Sequence, residues 1–169
     1  MNFRVGFGYD SHRLVEREGE QTFLTLANTP IPFHKTTIAH SDGDAVIHAL
    51  CDALLGALAL KDIGTHFPDT DTQYKDIDSK ILLSKTLEMI TERSWKINNV
   101  DITIMLEQPK LSPYIDAMTE KLANILSIEK DALSIKAKTN EKIDAVGQGD
   151  AVAVYAIASL IRENSPYEK

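Results

Sequence analysis

A chain of 169 residues is long enough for one domain with a buried core, and its 43% hydrophobic content excludes a disordered polymer. The formal charge of -7 argues against nucleic acid as the main partner, since phosphate-backbone binding needs a basic surface. It leaves room for a small phosphorylated molecule, because one local cation reverses the field inside a site.

Cys51 is the single cysteine, so neither an intrachain disulfide nor a Cys-based zinc site can form. MNFRVGFGYDSHR carries no apolar signal region, and AVIHALCDALLGALAL is interrupted by His48 and Asp52 and is too short to cross a bilayer. A soluble cytoplasmic protein with no membrane partner is expected, or an organellar one if a transit segment has been removed.

No internal repeat or Pro/Gly/Ser linker divides the chain, so 1–169 reads as a single domain. Residues 3–9 alternate as a strand and 13–21 read as a polar loop or hairpin tip. Residues 22–33 read as one or two short strands, limited to edges or ends by Pro30 and Pro32.

A helix follows HSDGD, with Ser41 or Asp42 as its cap and Gly43 in the turn before it. Val46, Leu50, Ala53, Leu54 and Ala57 recur at helical spacing, and a stop near Lys61–Gly64 is expected. Residues 63–71 read as loop and 76–95 as a second amphipathic helix. A strand at 100–106 precedes a helix at 112–128, capped by Ser112 with Pro113 at its first position. A strand at 133–139 leads to a glycine-containing loop at 140–150. The small apolar run 151–163 reads equally as helix or buried strand. Alternating strands and helices give an α/β or α+β class.

The chemistry gathers near the N-terminus. His12, His34, His40 and His48 are four of the five histidines. In GYDSH, Asp10 and His12 stand two apart on a strand and share a face. Zinc takes imidazole nitrogen and carboxylate oxygen, and a catalytic zinc uses three protein ligands. Asp10, His12 and His48 make such a set, although a buried core histidine and a turn cap fit each segment equally well. HSDGD is either a capped helix start or a phosphate-binding helix end. DIGTHFPDTD, 62–71, is a binding loop or an acidic turn. KAKTNEK, 136–142, is a charged strand end, or a place where Lys and Thr meet phosphate and Glu holds Mg²⁺.

GYDSH, the block AHSDGDAVIHALCDALLGALALKDIGTHFPDTD, NVDITIMLEQPKLSPYI and KAKTNEK occur in one order with consistent spacing. Together they resemble the 2-C-methyl-D-erythritol 2,4-cyclodiphosphate synthase family, essentially from Arg4 to the C-terminal segment, expected at this point to be a helix. The resemblance implies a homotrimeric lyase of the non-mevalonate isoprenoid pathway, with active sites between subunits. It implies a cytidine diphosphate substrate, 4-diphosphocytidyl-2-C-methyl-D-erythritol 2-phosphate, whose 2-phosphate attacks the β-phosphorus and releases CMP. It also implies Zn²⁺ together with Mg²⁺ or Mn²⁺.

By that resemblance Asp10, His12 and His48 hold zinc, with Asp10 and His12 beside the substrate. His40 and Ser41 contact phosphate, and His40 stabilises the transition state. Asp62, Ile63 and Gly64 line the methylerythritol or ribose part, and Phe67, Pro68, Asp69, Thr70 and Asp71 continue that wall. Leu106, Glu107, Gln108, Pro109, Lys110, Leu111 and Ser112 form the cytidine pocket. Lys138, Thr139, Asn140 and Glu141 arrive from the adjacent subunit, Thr139 supporting the pentavalent phosphorus and Glu141 binding the second metal.

The chain departs from the family pattern in the loop before 151. Gln148 stands where arginine is usual and Ala145 where an aromatic is usual, at positions associated with a pocket on the trimer axis for an isoprenoid diphosphate. Gln148 removes a charged bidentate donor there. Lys138 replaces a threonine-like residue. A rival reading is a zinc-dependent phosphohydrolase of a nucleoside diphosphate derivative, with Asp44 or Asp69 as general base.

Overall fold

The computed structural model describes residues 2–17, 22–68, 70–74 and 77–162. Strand β1 spans Phe3–Glu16, followed by a hairpin of β2 (Phe23–Leu26) and β3 (Thr29–Pro32) and by β4 (Lys35–Thr37). Helix α1 (Ala45–Ala57), the single turn α2 (Ile63–His66) and α3 (Ser79–Glu92) lead to β5 (Trp95–Met105). Helix α4 (Ile115–Leu126), β6 (Leu133–Lys138), the turn α5 (Asp144–Gly147) and β7 (Ala151–Arg162) complete the order.

The five-stranded sheet runs β4-β1-β7-β5-β6, antiparallel except for the parallel β5–β6 pair. Helices α1, α3 and α4 lie on one of its faces, so the architecture is a single α+β domain with a mixed sheet. The core between the layers is built from α1 residues such as Ile47, Leu50 and Leu54 and sheet residues such as Ile102, Ile104, Val154 and Leu160, all fully buried. The second sheet face is open: Phe3, Val5, Phe7, Tyr9, Tyr155, Ile157 and Ile161 are all at least 38% exposed.

The apolar spacing of α1 holds, since Val46, Leu50, Ala53, Leu54 and Ala57 are all buried. Its cap is Asp44, not Ser41 or Asp42: the Asp44 carboxylate accepts the N–H groups of Val46 and Ile47. The helix ends at Ala57, earlier than expected, where Leu58, Ala59 and Leu60 fold their N–H groups back onto Leu55 and Gly56.

Four further expectations are corrected. Residues 13–16 are strand rather than loop, because Leu14–Glu16 pair with Lys35–Thr37; residues 18–21 lie outside the described part. The helix expected over 76–95 stops at Glu92, and β5 begins at Trp95, since Ser94 takes a positive φ of 61° and turns the chain. Ser112 and Pro113 do not open α4; its N-cap is Tyr114, without a side-chain cap bond. Short helical turns stand at 63–66 and 144–147, where loops were expected.

Run 151–163 resolves as strand through residue 162. It pairs along both edges, so backbone hydrogen bonds that a helix would make internally go to β1 and β5 instead.

Candidate active site

Helix α1 can reach the histidine of β1 because β1 carries glycine where the two backbones meet. A Cβ at Gly6 would stand 1.9 Å from the Ala53 carbonyl oxygen, and one at Gly8 would stand 1.9 Å from that of Ala49. Only glycine permits that approach. His48 precedes Ala49, and Asp10 and His12 continue the same face of β1 beyond Gly8, so close packing brings the three side chains together.

Their donor atoms form a nearly equilateral triangle. Asp10 Oδ2 lies 3.0 Å from His12 Nε2 and 3.1 Å from His48 Nδ1, and the two ring nitrogens are 3.1 Å apart. A tetrahedral zinc ion with bonds of about 2.0 Å separates its ligands by about 3.3 Å. The N₂O donor set therefore fits zinc, needs almost no rearrangement, and leaves a fourth position open.

Electrostatics agree. Burial pushes the Asp10 carboxyl up, but hydrogen bonds from His12 and His48 outweigh it and hold the group far below the usual carboxylate range. Burial lowers His48, and the Asp10 hydrogen bond and charge raise it above an ordinary histidine. This is the only group of three or more such side chains close enough to hold an ion among the described residues.

The triangle forms one wall of a cleft of about 240 Å³, lined also by Ala39, His40, Ser41, Asp52, Ile63, Gly64, Phe67, Tyr74, Ile77 and Leu82. Asp62 caps α2 by accepting the Thr65 N–H at 2.8 Å, and Asp52 accepts the Ile63 N–H at 2.7 Å, which together hold the 62–67 wall. A second cavity, about 650 Å³, is lined by residues 106–112 with Ile115, Ala137, Lys138 and Thr139. Asn140 donates its N–H to Glu107 there at 3.2 Å, and Thr139 Oγ1 donates to Glu141 at 2.9 Å.

A model of the YgbB family matches residues 3–161. The chain belongs to the YgbB family. Among the YgbB relatives, a 2-C-methyl-D-erythritol 2,4-cyclodiphosphate synthase of Brachyspira hyodysenteriae is 51% identical over 157 residues, 93% of this chain and 97% of that protein. The Plasmodium falciparum IspF complex with CDP superposes with a TM-score of 0.83 at 33% identity, covering 96% of this chain and 98% of that one. The bifunctional IspDF of Campylobacter jejuni superposes at 0.87 with 35% identity over 95% of this chain, which spans 42% of that longer protein. The homologues and structural neighbours of this YgbB chain are thus lyases of the non-mevalonate pathway.

For this YgbB member the sequence located most of both cavities. Asp10, His12, His40, Ser41, His48, Ile63, Gly64 and Phe67 meet in the first, and all of 106–112 with Lys138 and Thr139 in the second. Asp62 supports the first wall from outside it, and Pro68, Thr70 and Asp71 follow without lining the cleft. Asp69 lies outside the described residues. Asn140, Glu141, Ala145 and Gln148 line neither cavity, and Gln148 Nε2 instead donates to the Lys142 carbonyl at 2.9 Å.

Asp44 is corrected as a general base. It is fully buried, and Ala27, Asn28, Val46 and Ile47 donate backbone N–H groups to its two oxygens. Sequence reading missed Tyr74, Ile77 and Leu82 in the cleft, and Ser79 behind His48. Ser79 opens α3 and carries no motif; only the fold takes it to 2.9 Å from His48.

No helix among the described residues is long and apolar enough to cross a membrane.

Proposed function

We propose that this protein cyclises 4-diphosphocytidyl-2-C-methyl-D-erythritol 2-phosphate to 2-C-methyl-D-erythritol 2,4-cyclodiphosphate with release of CMP, in the cytoplasm. The observation that carries the reading is the preformed Asp10–His12–His48 triangle opening onto a cleft with His40 and Ser41.

Asp10, His12 and His48 would hold Zn²⁺, and Glu141 would offer a carboxylate to Mg²⁺ or Mn²⁺. When bound, these ions supply the positive charge that lets two phosphates approach one another. His40 and Ser41 bind phosphate oxygens, the 62–67 wall shapes the sugar side, and residues 106–112 seat the cytidine. An oxygen of the 2-phosphate attacks the β-phosphorus. The bond from that phosphorus to its bridging oxygen breaks, and CMP leaves with the electron pair. Thr139 supports the phosphorus as charge spreads over its oxygens. The nucleophile is already anionic, so positioning and electrostatics suffice, and no general base is required. That agrees with Asp44 being sealed in the core.

Asp10, Val154, Ile104 and Ala137 stand in one row across β1, β7, β5 and β6. Three strand spacings separate the row's ends by about 14 Å. That separation supports Thr139 and Glu141 reaching the phosphate at Asp10 from a neighbouring copy rather than from the same chain. A neighbouring copy supplies them, in a homotrimer that covers the open apolar face of Phe7, Tyr9, Tyr155 and Ile157. Gln148 leaves an uncharged amide where a trimer-axis pocket would need a cation.

Phosphorus NMR of the protein with substrate, zinc and Mg²⁺, beside His48→Ala, tests the reaction. A cyclic diphosphate with CMP from the parent alone is expected. A linear 2,4-bisphosphate with CMP would mean hydrolysis and sink the cyclisation.

A further inference from the structure

His48 presents its two ring nitrogens to different partners. Nδ1 faces Asp10 and His12 at 3.1 Å, while Nε2 lies 2.9 Å from Ser79 Oγ and 3.0 Å from Ser41 Oγ. Ser79 is fully buried. Its hydroxyl donates to Asp42 Oδ1, and its backbone N–H donates to Asp42 Oδ2 at 3.2 Å. A hydroxyl that gives its one proton to a carboxylate offers only lone pairs to other neighbours. Toward that lone pair Nε2 acts as the donor, and in this arrangement Nδ1 keeps its own lone pair for the triangle.

We propose that Asp42 and Ser79 are positioning residues that fix His48 as the Nε2–H tautomer and so make Nδ1 its metal-donating atom. The proposal rests on the metal reading of the Asp10–His12–His48 cluster. Metal-ligating histidines generally hold their other ring N–H in such a contact, which fixes tautomer and ring orientation. Here the carboxylate acts through a serine. The chain begins in the turn before α1, passes through the first residue of α3, and ends on α1, so it also ties those two helices at the cleft floor. Ser41 is the weaker candidate for the role. It faces the cleft, and its hydroxyl oxygen meets the Gly43 N–H at 3.3 Å and Ser79 Oγ at 3.5 Å, with no carboxylate hydrogen-bonded to it among the described residues.

The test uses the whole chain with metal ions alone. In the ¹⁵N-histidine-labelled parent loaded with ¹¹³Cd²⁺, the metal should couple to His48 Nδ1, with Nε2 a slowly exchanging N–H. Coupling through Nε2 would overturn the proposal on the parent itself. By chelator competition, Ser79→Ala and Asp42→Ala should bind Zn²⁺ about 10–100-fold more weakly, while Ser41→Ala binds as the parent does. The Ser79→Ala spectrum should lose the slow exchange at Nε2. Parental affinity in Ser79→Ala overturns the positioning role and leaves the metal reading intact. A parent that takes up neither ion overturns both.

Discussion

Asp44 shows how much one side chain can carry away from the chemistry. Its two oxygens satisfy the first turn of α1 and the Ala27–Asn28 turn, where both residues take positive φ. Burial pushes its pKa up to about 6, against the Asn28 hydrogen bond and with help from the Asp42 charge. Asp44→Ala leaves the Ala27 and Asn28 N–H groups and a helix cap unpaired, at about 1 kcal/mol or more for each loss. A total loss of about 3 kcal/mol is expected from urea unfolding; a loss under about 1 kcal/mol would contradict the assigned role. Cys51 behaves differently: burial pushes its thiol from 9.0 up to about 12. The folded chain keeps a proton that the unfolded chain releases above pH 9, so stability falls as pH rises through that window. The parent should lose ground to Cys51→Ala by about 1.4 kcal/mol per pH unit there. Equal pH slopes for the two proteins in guanidinium titrations would refute the buried, neutral thiol.

At the scale of elements, the decisive contact is β1 against α1. The alternating Gly6 and Gly8 are unremarkable as sequence, yet they set the helix at backbone contact with the strand. In Gly8→Ala the new methyl meets the Ala49 carbonyl, a fixed backbone atom one residue beyond His48. Overpacking of this kind costs about 1–3 kcal/mol and displaces α1. The Gly8→Ala protein should therefore unfold at lower denaturant and bind zinc more weakly than the parent. Unchanged zinc affinity would show that the triangle does not depend on that packing.

The whole molecule raises the question of the uncovered sheet face. Phe7 stacks on Tyr155 and Tyr9 meets it at a tilt, with ring centroids 6.3 and 5.1 Å apart, and this cluster faces outward. An apolar patch of that kind marks an interaction surface. If copies of the chain share sites, two inactive variants can repair each other. His48→Ala and Glu141→Ala, unfolded and refolded together, should regain activity that neither shows alone. No recovery, with mixed oligomers present by mass spectrometry, would place each site within one chain.

Helix α1 and the strands β1, β5 and β6 were legible in the sequence, as were the three donor residues of the triangle and, through family resemblance, residues 106–112 of the second cavity. Those features are written locally, in side-chain periodicity and in motifs whose residue types the chemistry demands. The tertiary structure alone decided that 151–162 is a strand, because neighbours on both edges, not periodicity, settle that choice. It alone showed that Asp44 is a buried cap and not a base, and that Ser79 stands behind His48, because burial and long-range contact leave no local pattern. The convergence of Asp10, His12 and His48 also belongs to the fold, since it depends on two glycines that let a helix touch a strand.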